Sequence, residues 1–512
     1  GLPTGSWVRV PESSTTTPIK GTTSYMLYDA KAHILQTSTT NYMGGYTVVE
    51  NGLDAFTGRV NFTVTKHKRI TSDTELLTRD DFSYSQQERL LTHTHKIGTN
   101  GTPELLAFNT YNELGKLISK RVGGTDTTGA TALQKVDYTY NIRGWLTAIN
   151  NTQSLQDTPN DLFAFSINYD TVRNEVGYTG TPLYNGNIAE TYWRTQTDNV
   201  LRKYGYQYDN LNRLTNAIYQ KPNHAIPVTN SYNESLQYDK NGNITNLQRT
   251  GDLDNDSFTI EIDNLNYNYD TNSNLLKAVQ DISGNPTGFK DVVNTQDFYY
   301  DANGNMYKDV NKGITSITYN HLNLPTKIVF TGTNRNIVYL YDATGQKVKK
   351  VVTNGTTITT TDYLTGYQYE DDVLKFFPTA EGYINNTVVN GINNYNYVYN
   401  YTDHLGNIRL SYSKDPVTQQ LKILSENNYY PFGMKHEKYN VQEYTYQQIT
   451  DKFGNILNGY YIGATNVVNT GIYKYKLNSR EWQDELGLNM YDMDMRDYDP
   501  AIARWVVQDP VV

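Results

Sequence analysis

One phrase recurs along the chain and constrains its fold more than any other feature. It runs aromatic, any residue, Tyr, Asp or Asn, two or three polar residues with Gly or Asn, then an aliphatic residue. It reads YTYNIRGWLT from Tyr138, YQYDNLNRLT from Tyr206, LQYDKNGNIT from Leu236 and YNYDTNSNLL from Tyr267. It returns as FYYDANGNMY from Phe298, ITYNHLNLPT from Ile317 and YLYDATGQKV from Tyr339, with weaker copies at Phe108 and around Asp29. The copies recur about every 20 to 40 residues, the period of solenoids and related arrays, so domain counting from length fails.

The phrase translates directly into structure. Two rings in Tyr-x-Tyr project from one face of a strand. Asp239-Lys240-Asn241-Gly242 and Asp301-Ala302-Asn303-Gly304 then supply a carboxylate that accepts backbone N–H bonds and a glycine that tolerates positive φ. This is a type I turn closed by a glycine bulge, so each phrase is the tip of a β-hairpin. Between tips lie β-branched runs such as Thr356 to Thr361, and no 3.6-residue period of a buried helix stands out. The expected class is all-β, a β-hairpin array. Its 46 tyrosines, against 14 Phe and 5 Trp, suit sheet faces that meet water or one another through hydroxyls as well as rings. Such half-wet faces fit a curved wall; an ordinary β-solenoid with aromatic ladders has the same composition.

Charge and cysteine narrow the function. With no cysteine there is no disulfide framework or thiolate chemistry. A net charge of −9 argues against nucleic acid as a partner. No stretch approaches the roughly 20 apolar residues that span a bilayer, so membrane insertion is not expected. Gly1-Leu2-Pro3-Thr4-Gly5-Ser6 carries no initiator methionine or secretion signal. The chain reads as part of a longer product whose targeting information lies elsewhere.

The phrase Tyr-x-Tyr-Asp-x-x-Gly-Asn/Arg-Leu resembles the YD repeat of RHS (rearrangement hotspot) proteins. Three later segments, YNYTDHLGNIRLSY from Tyr399, YYPFGM from Tyr429, and the run from Tyr473 to Asp509-Pro510, resemble the RHS-repeat-associated core domain in the form found in Bacteroidetes. The resemblance covers about residues 100 to 510 and is weak before that. It implies a long antiparallel sheet spiralling into a hollow shell, as in toxin-complex C components and teneurins, with the core domain plugging one end. It divides the chain into an N-terminal β segment with weak repeats (1–100), a repeat shell (101–398) and the core domain (399–512), truncated at its C-terminus. It further implies a polymorphic C-terminal toxin as cargo, cut from the core and enclosed until delivery, with an immunity protein and secretion machinery as further partners.

The family's self-cleavage is attributed to an aspartyl-protease-like site around the core's Asp-Pro motifs. The matching positions are Asp499-Pro500 and Asp509-Pro510, with Arg496 and Arg504 nearby. Two close carboxylates can share a proton, one serving as base and one as acid, while Arg504 biases which ionises. Val511-Val512 stands where the family often has Gly, so the catalytic assignment of Asp499, Asp509 and Arg504 is weighed against two Asp-Pro turns.

Other motifs carry less. Asp252-x-Asp254-x-Asp256 with Asp263 has the acid spacing of a calcium loop, but Ser257 replaces its glycine, and a solvated acidic hairpin is preferred. His93-x-His95 is the minimum of a metal clip; with no third ligand near, two exposed strand residues are preferred. His404 is read as bonding a buried turn rather than as catalytic. Lys66-His67-Lys68-Arg69 is read as a solvated strand end. No phosphate loop, dinucleotide fingerprint, nucleophile elbow or zinc helix is present, so no cofactor and no metal is expected, and the shell itself is expected to be non-catalytic.

The expected function is a secreted or cell-surface shell that encapsulates and protects a C-terminal toxin. The rivals are a surface adhesion or carbohydrate-binding protein, with tyrosines facing outward in open grooves; an active autoprotease in its own right; and cargo captured on a type IX secretion machine.

Overall fold

The computed structural model describes residues 1–508 apart from 12–18, 157–160, 174–176, 179, 255, 441, 451–454 and 466–472. From Gly5 to Asp281 the strands form one 19-stranded sheet in which each pairs antiparallel with its neighbours in sequence. From Phe298 to Glu426 a second sheet of 13 strands repeats the same meander. A two-stranded hairpin, Tyr444–Thr450 with Ile456–Ala464, and four short strands between Glu481 and Trp505 follow. Among the described residues there is no α-helix, only single 3₁₀ turns at Leu477–Ser479 and Glu485–Gly487. The all-β array is thus present, with one refinement: the implied single sheet is divided. The connection after Asp281 holds Gly284, Pro286 and Gly288, and the Phe289 N–H donates to the Asp263 carboxylate at 2.7 Å instead of to a strand.

The hairpin tips form as their residues dictate. Asp239 Oδ1 accepts the N–H groups of Asn241 and Asn243 at 2.8 and 2.9 Å, and Gly242 adopts φ +90°. Asp301 repeats both bonds with Asn303 and Asn305. Where the glycine is missing, asparagine takes the left-handed position, as Asn212 does at φ 62°. Each of these tips carries a bulge one residue before the Asp, as between Gln237 and Tyr238.

In six repeats the tyrosine that ends the outgoing strand has a second role. Its hydroxyl donates to the carbonyl of the residue that starts the previous hairpin's return strand. Tyr84 reaches Val60 at 3.0 Å, Tyr111 reaches Leu90 at 2.9 Å and Tyr238 reaches Leu214 at 2.7 Å. Tyr269 reaches Ile244 at 2.7 Å, Tyr300 reaches Leu276 at 3.0 Å, and Tyr319 bonds Met306. Near a tip the strands of adjacent hairpins part, leaving that carbonyl without a ladder partner, and the phenol fills the gap. The recurring aliphatic residue and the next phrase's tyrosine are therefore two ends of one inter-repeat bond.

The second sheet packs back on the first. His67 stacks on Tyr367 at 3.7 Å, Arg69 pairs with Asp362 at 3.1 Å, and Tyr399 donates to Glu104 at 2.7 Å. One apolar cluster joins Phe163, Trp193 and Tyr219 of the first sheet to Tyr399, Leu410 and Tyr412 of the second. A solid globule of this mass would expose roughly 19,000 Å². The chain exposes 24519 Å², more than such a globule.

Candidate functional site

The segment from Tyr473 to Gln508 adds four short strands and is pinned to the wall by three charged knots. In the first, Arg249 is fully buried between Glu234 at 2.7 Å and Asp263 at 3.1 Å. Its remaining donors reach the carbonyls of Ala501 at 2.6 Å and Pro500 at 3.0 Å, and Tyr267 donates to the Ile502 carbonyl at 2.9 Å. Burial raises both carboxyls while Arg249 opposes it, so the guanidinium is what keeps the knot charged. In the second knot, buried Glu481 accepts from Lys347 at 2.6 Å, Lys350 at 2.8 Å and Tyr363 at 2.8 Å. Burial pushes its carboxyl up, but the two ammoniums outweigh this and hold it well below the usual carboxylate range.

The third knot contains Asp499. Its Oδ2 lies 3.0 Å from Lys312 Nζ, and its Oδ1 accepts the Ala501 N–H at 3.0 Å. These are the bonds of an Asx turn with a counter-ion, which serve Asp499-Pro500 as structure. Arg504 is the strand partner of Asp499, but its guanidinium turns away, donating to the Tyr269 hydroxyl at 2.8 Å and the Asn274 carbonyl at 3.3 Å. Asp509 lies outside the described residues. Arg496 stacks over Trp505 at 4.1 Å. Asp309 joins this group without any signal in the sequence. Its carboxyl is pushed up to about 7 by burial, against the pull of Lys312, with Asp499 raising it further.

The weaker motifs fall elsewhere than expected. The acids near Asp252 are neither a calcium loop nor a solvated hairpin. Asp254 pairs with Lys221 at 3.1 Å, Asp256 with Lys221 at 2.8 Å, Asp252 with Lys438 at 2.5 Å, and Asp263 sits in the Arg249 knot. His93 and His95 are buried, not exposed: His93 bonds Asp80 at 2.7 Å and His95 bonds the Tyr397 hydroxyl at 2.7 Å. His404 stacks on Phe165 at 5.6 Å while Asp403, not the imidazole, bonds the turn. The Lys66 to Arg69 cluster is a sheet joint instead of a solvated end, since His67 is 1% exposed and Arg69 is 7% exposed. Among the described residues no group of three or more acids and histidines is placed to hold a metal. No helix of the described residues is long and apolar enough to cross a membrane.

The meander, the tyrosine ladder and the pinned terminal segment define a wall of antiparallel β-hairpins. The crystal structure of TcdB2-TccC3-Cdc42 is similar over 96% of this chain, with a TM-score of 0.55 and 15% identity. The structures of TcdB2-TccC3-TEV and TcdB2-TccC3 align over the same share, with TM-scores of 0.49 and 0.47 and identities of 12% and 13%. This chain spans about a quarter of the length of those chains, covering 25%, 25% and 26% of them. No family model matches the sequence, and no curated protein matches it.

Proposed function

We propose that this chain is a wall segment of an RHS-type shell that encloses and protects a C-terminal toxin until delivery, outside the producing cell or at its surface. The observation that carries the reading is the hairpin meander of the 19- and 13-stranded sheets, locked repeat to repeat by tyrosine hydroxyls. The likeness to TcdB2-TccC3-Cdc42 supports the wall. The cargo, an immunity partner and the export route rest on the resemblance of the Tyr399, Tyr429 and Tyr473 segments to the RHS core.

The placement of tyrosine favours this over adhesion. Of the 46 tyrosines, only Tyr25, Tyr184, Tyr307 and Tyr461 are exposed among the described residues. The others pack between hairpins rather than lining open grooves for sugars. The test is protection: in the complete secreted product, the region following this chain should resist added protease until the shell is opened by denaturant. Digestion of that region at the same rate before and after denaturation would overturn the reading.

Self-cleavage in the core is proposed for Asp499 and Asp509, with Arg504 orienting the chain through Tyr269. Asp499→Asn in the complete product should abolish the cut; an intact cut in that variant would make Asp499 a turn residue only.

A further inference from the structure

A cavity of about 370 Å³ lies between the second sheet's start and the terminal segment, on the far side of Pro500 and Ala501. Its volume is that of a small-molecule site. Phe289, Met434, Trp482 and Tyr491 give it an apolar wall, and four lysines, Lys290, Lys312, Lys435 and Lys476, border it.

Against these four lysines the lining holds one carboxylate, Glu437. Lys312 is taken by Asp499 at 3.0 Å. Lys476 and Lys435 both turn to one oxygen, Glu443 Oε1, at 3.1 and 3.5 Å. Lys435, only 10% exposed, thus has as its acceptor among the described residues a single carboxylate oxygen, at the limit of hydrogen-bond distance and shared with a second ammonium. A buried ammonium that shares one distant acceptor with a second lysine is only partly compensated, and an anion that supplies a further acceptor offsets that cost.

We propose that this cavity binds a small organic carboxylate with a flat apolar body, its carboxylate accepting from Lys435 and its body lying among Phe289, Met434, Trp482 and Tyr491. The inference is independent of the shell reading. The groups facing Lys435 are Lys476, Glu443 and Glu437, with Lys312 and Lys290 across the cavity. Burial and Lys476 bring the Lys435 ammonium down to about 8, against the pull of Glu443 and Glu437. A bound carboxylate favours the protonated amine, so affinity falls as pH rises through 8.

The test is calorimetric titration of the folded chain with indole-3-acetate and with its neutral amide, at pH 7 and pH 9. The carboxylate should bind at pH 7 about tenfold more tightly than at pH 9, and the amide should show no such change. Lys435→Gln should weaken carboxylate binding at pH 7 at least tenfold and remove the pH dependence. Equal binding of acid and amide, no binding of either, or an affinity unchanged between the two pH values would each overturn the proposal. The wild-type comparison decides the matter if Lys435→Gln does not fold.

Discussion

The hydroxyl of Tyr238 donates to the carbonyl of Leu214 at 2.7 Å, tying one hairpin to the one before it. The same bond recurs from Tyr84 to Tyr319, so the most frequent aromatic residue of the chain is also its inter-repeat fastener. Phenylalanine would keep the ring packing and lose the bond. That separates the two contributions of each tyrosine.

Tyr238→Phe and Tyr269→Phe should each lower stability by about 1 kcal/mol, the net worth of one such hydrogen bond. Their effects should add within a few tenths of a kcal/mol if each lock acts locally. Urea midpoints of the two single variants and the double variant check this. No change in either single variant would make the phenols incidental.

Arg249→Met should be far more damaging, costing about 3–5 kcal/mol, because it leaves Glu234 and Asp263 buried without their counter-charge. It also frees the carbonyls of Pro500 and Ala501. Limited proteolysis should then cut near residues 500–502 well before the repeats. Unaltered cleavage there would show that the terminal segment is held by its apolar contacts alone.

Glu481→Gln should weaken the second knot and remove a source of acid sensitivity. Its folded carboxyl titrates below the unfolded value, so its contribution is present above pH 4.5 and is lost as pH falls further. The variant should be less stable than wild type at pH 7, with the gap closing towards pH 3 in thermal melts. A gap that stays constant would contradict the charge account.

Asp309 has the opposite sign. Its folded carboxyl titrates near 7 against an unfolded value of 3.8, so the fold holds a proton that the unfolded chain releases. Stability from this group is full below pH 3.8 and falls as pH rises to about 7. Asp497, also pushed up to about 7, adds in the same direction. Asp309→Asn should therefore gain stability relative to wild type between pH 5 and pH 8, in urea titrations at both values. Parallel pH profiles would contradict the burial of this carboxyl.

What can be read from the sequence depends on how far apart the interacting residues lie. The tips are legible because Asp239, Gly242 and Asn243 interact within five residues. Their tyrosines can be placed on strands, but not given a bonding partner, since the partner is a backbone carbonyl one hairpin away. Arg69 and His95 look like surface residues because their partners, Asp362 and Tyr397, lie 293 and 302 residues away. Asp499 stands out by its Asp-Pro motif, yet the lysine that neutralises it, Lys312, and the carboxyl beside it, Asp309, belong to an earlier hairpin with no distinguishing pattern.

The enclosing wall is tested most directly by mass. The protein isolated natively from its source should be weighed under native conditions and again after denaturation. The account predicts one native particle that separates on denaturing into a repeat-bearing chain and a second peptide that begins after an Asp-Pro motif of the core. A single species of the same mass under both conditions would contradict it.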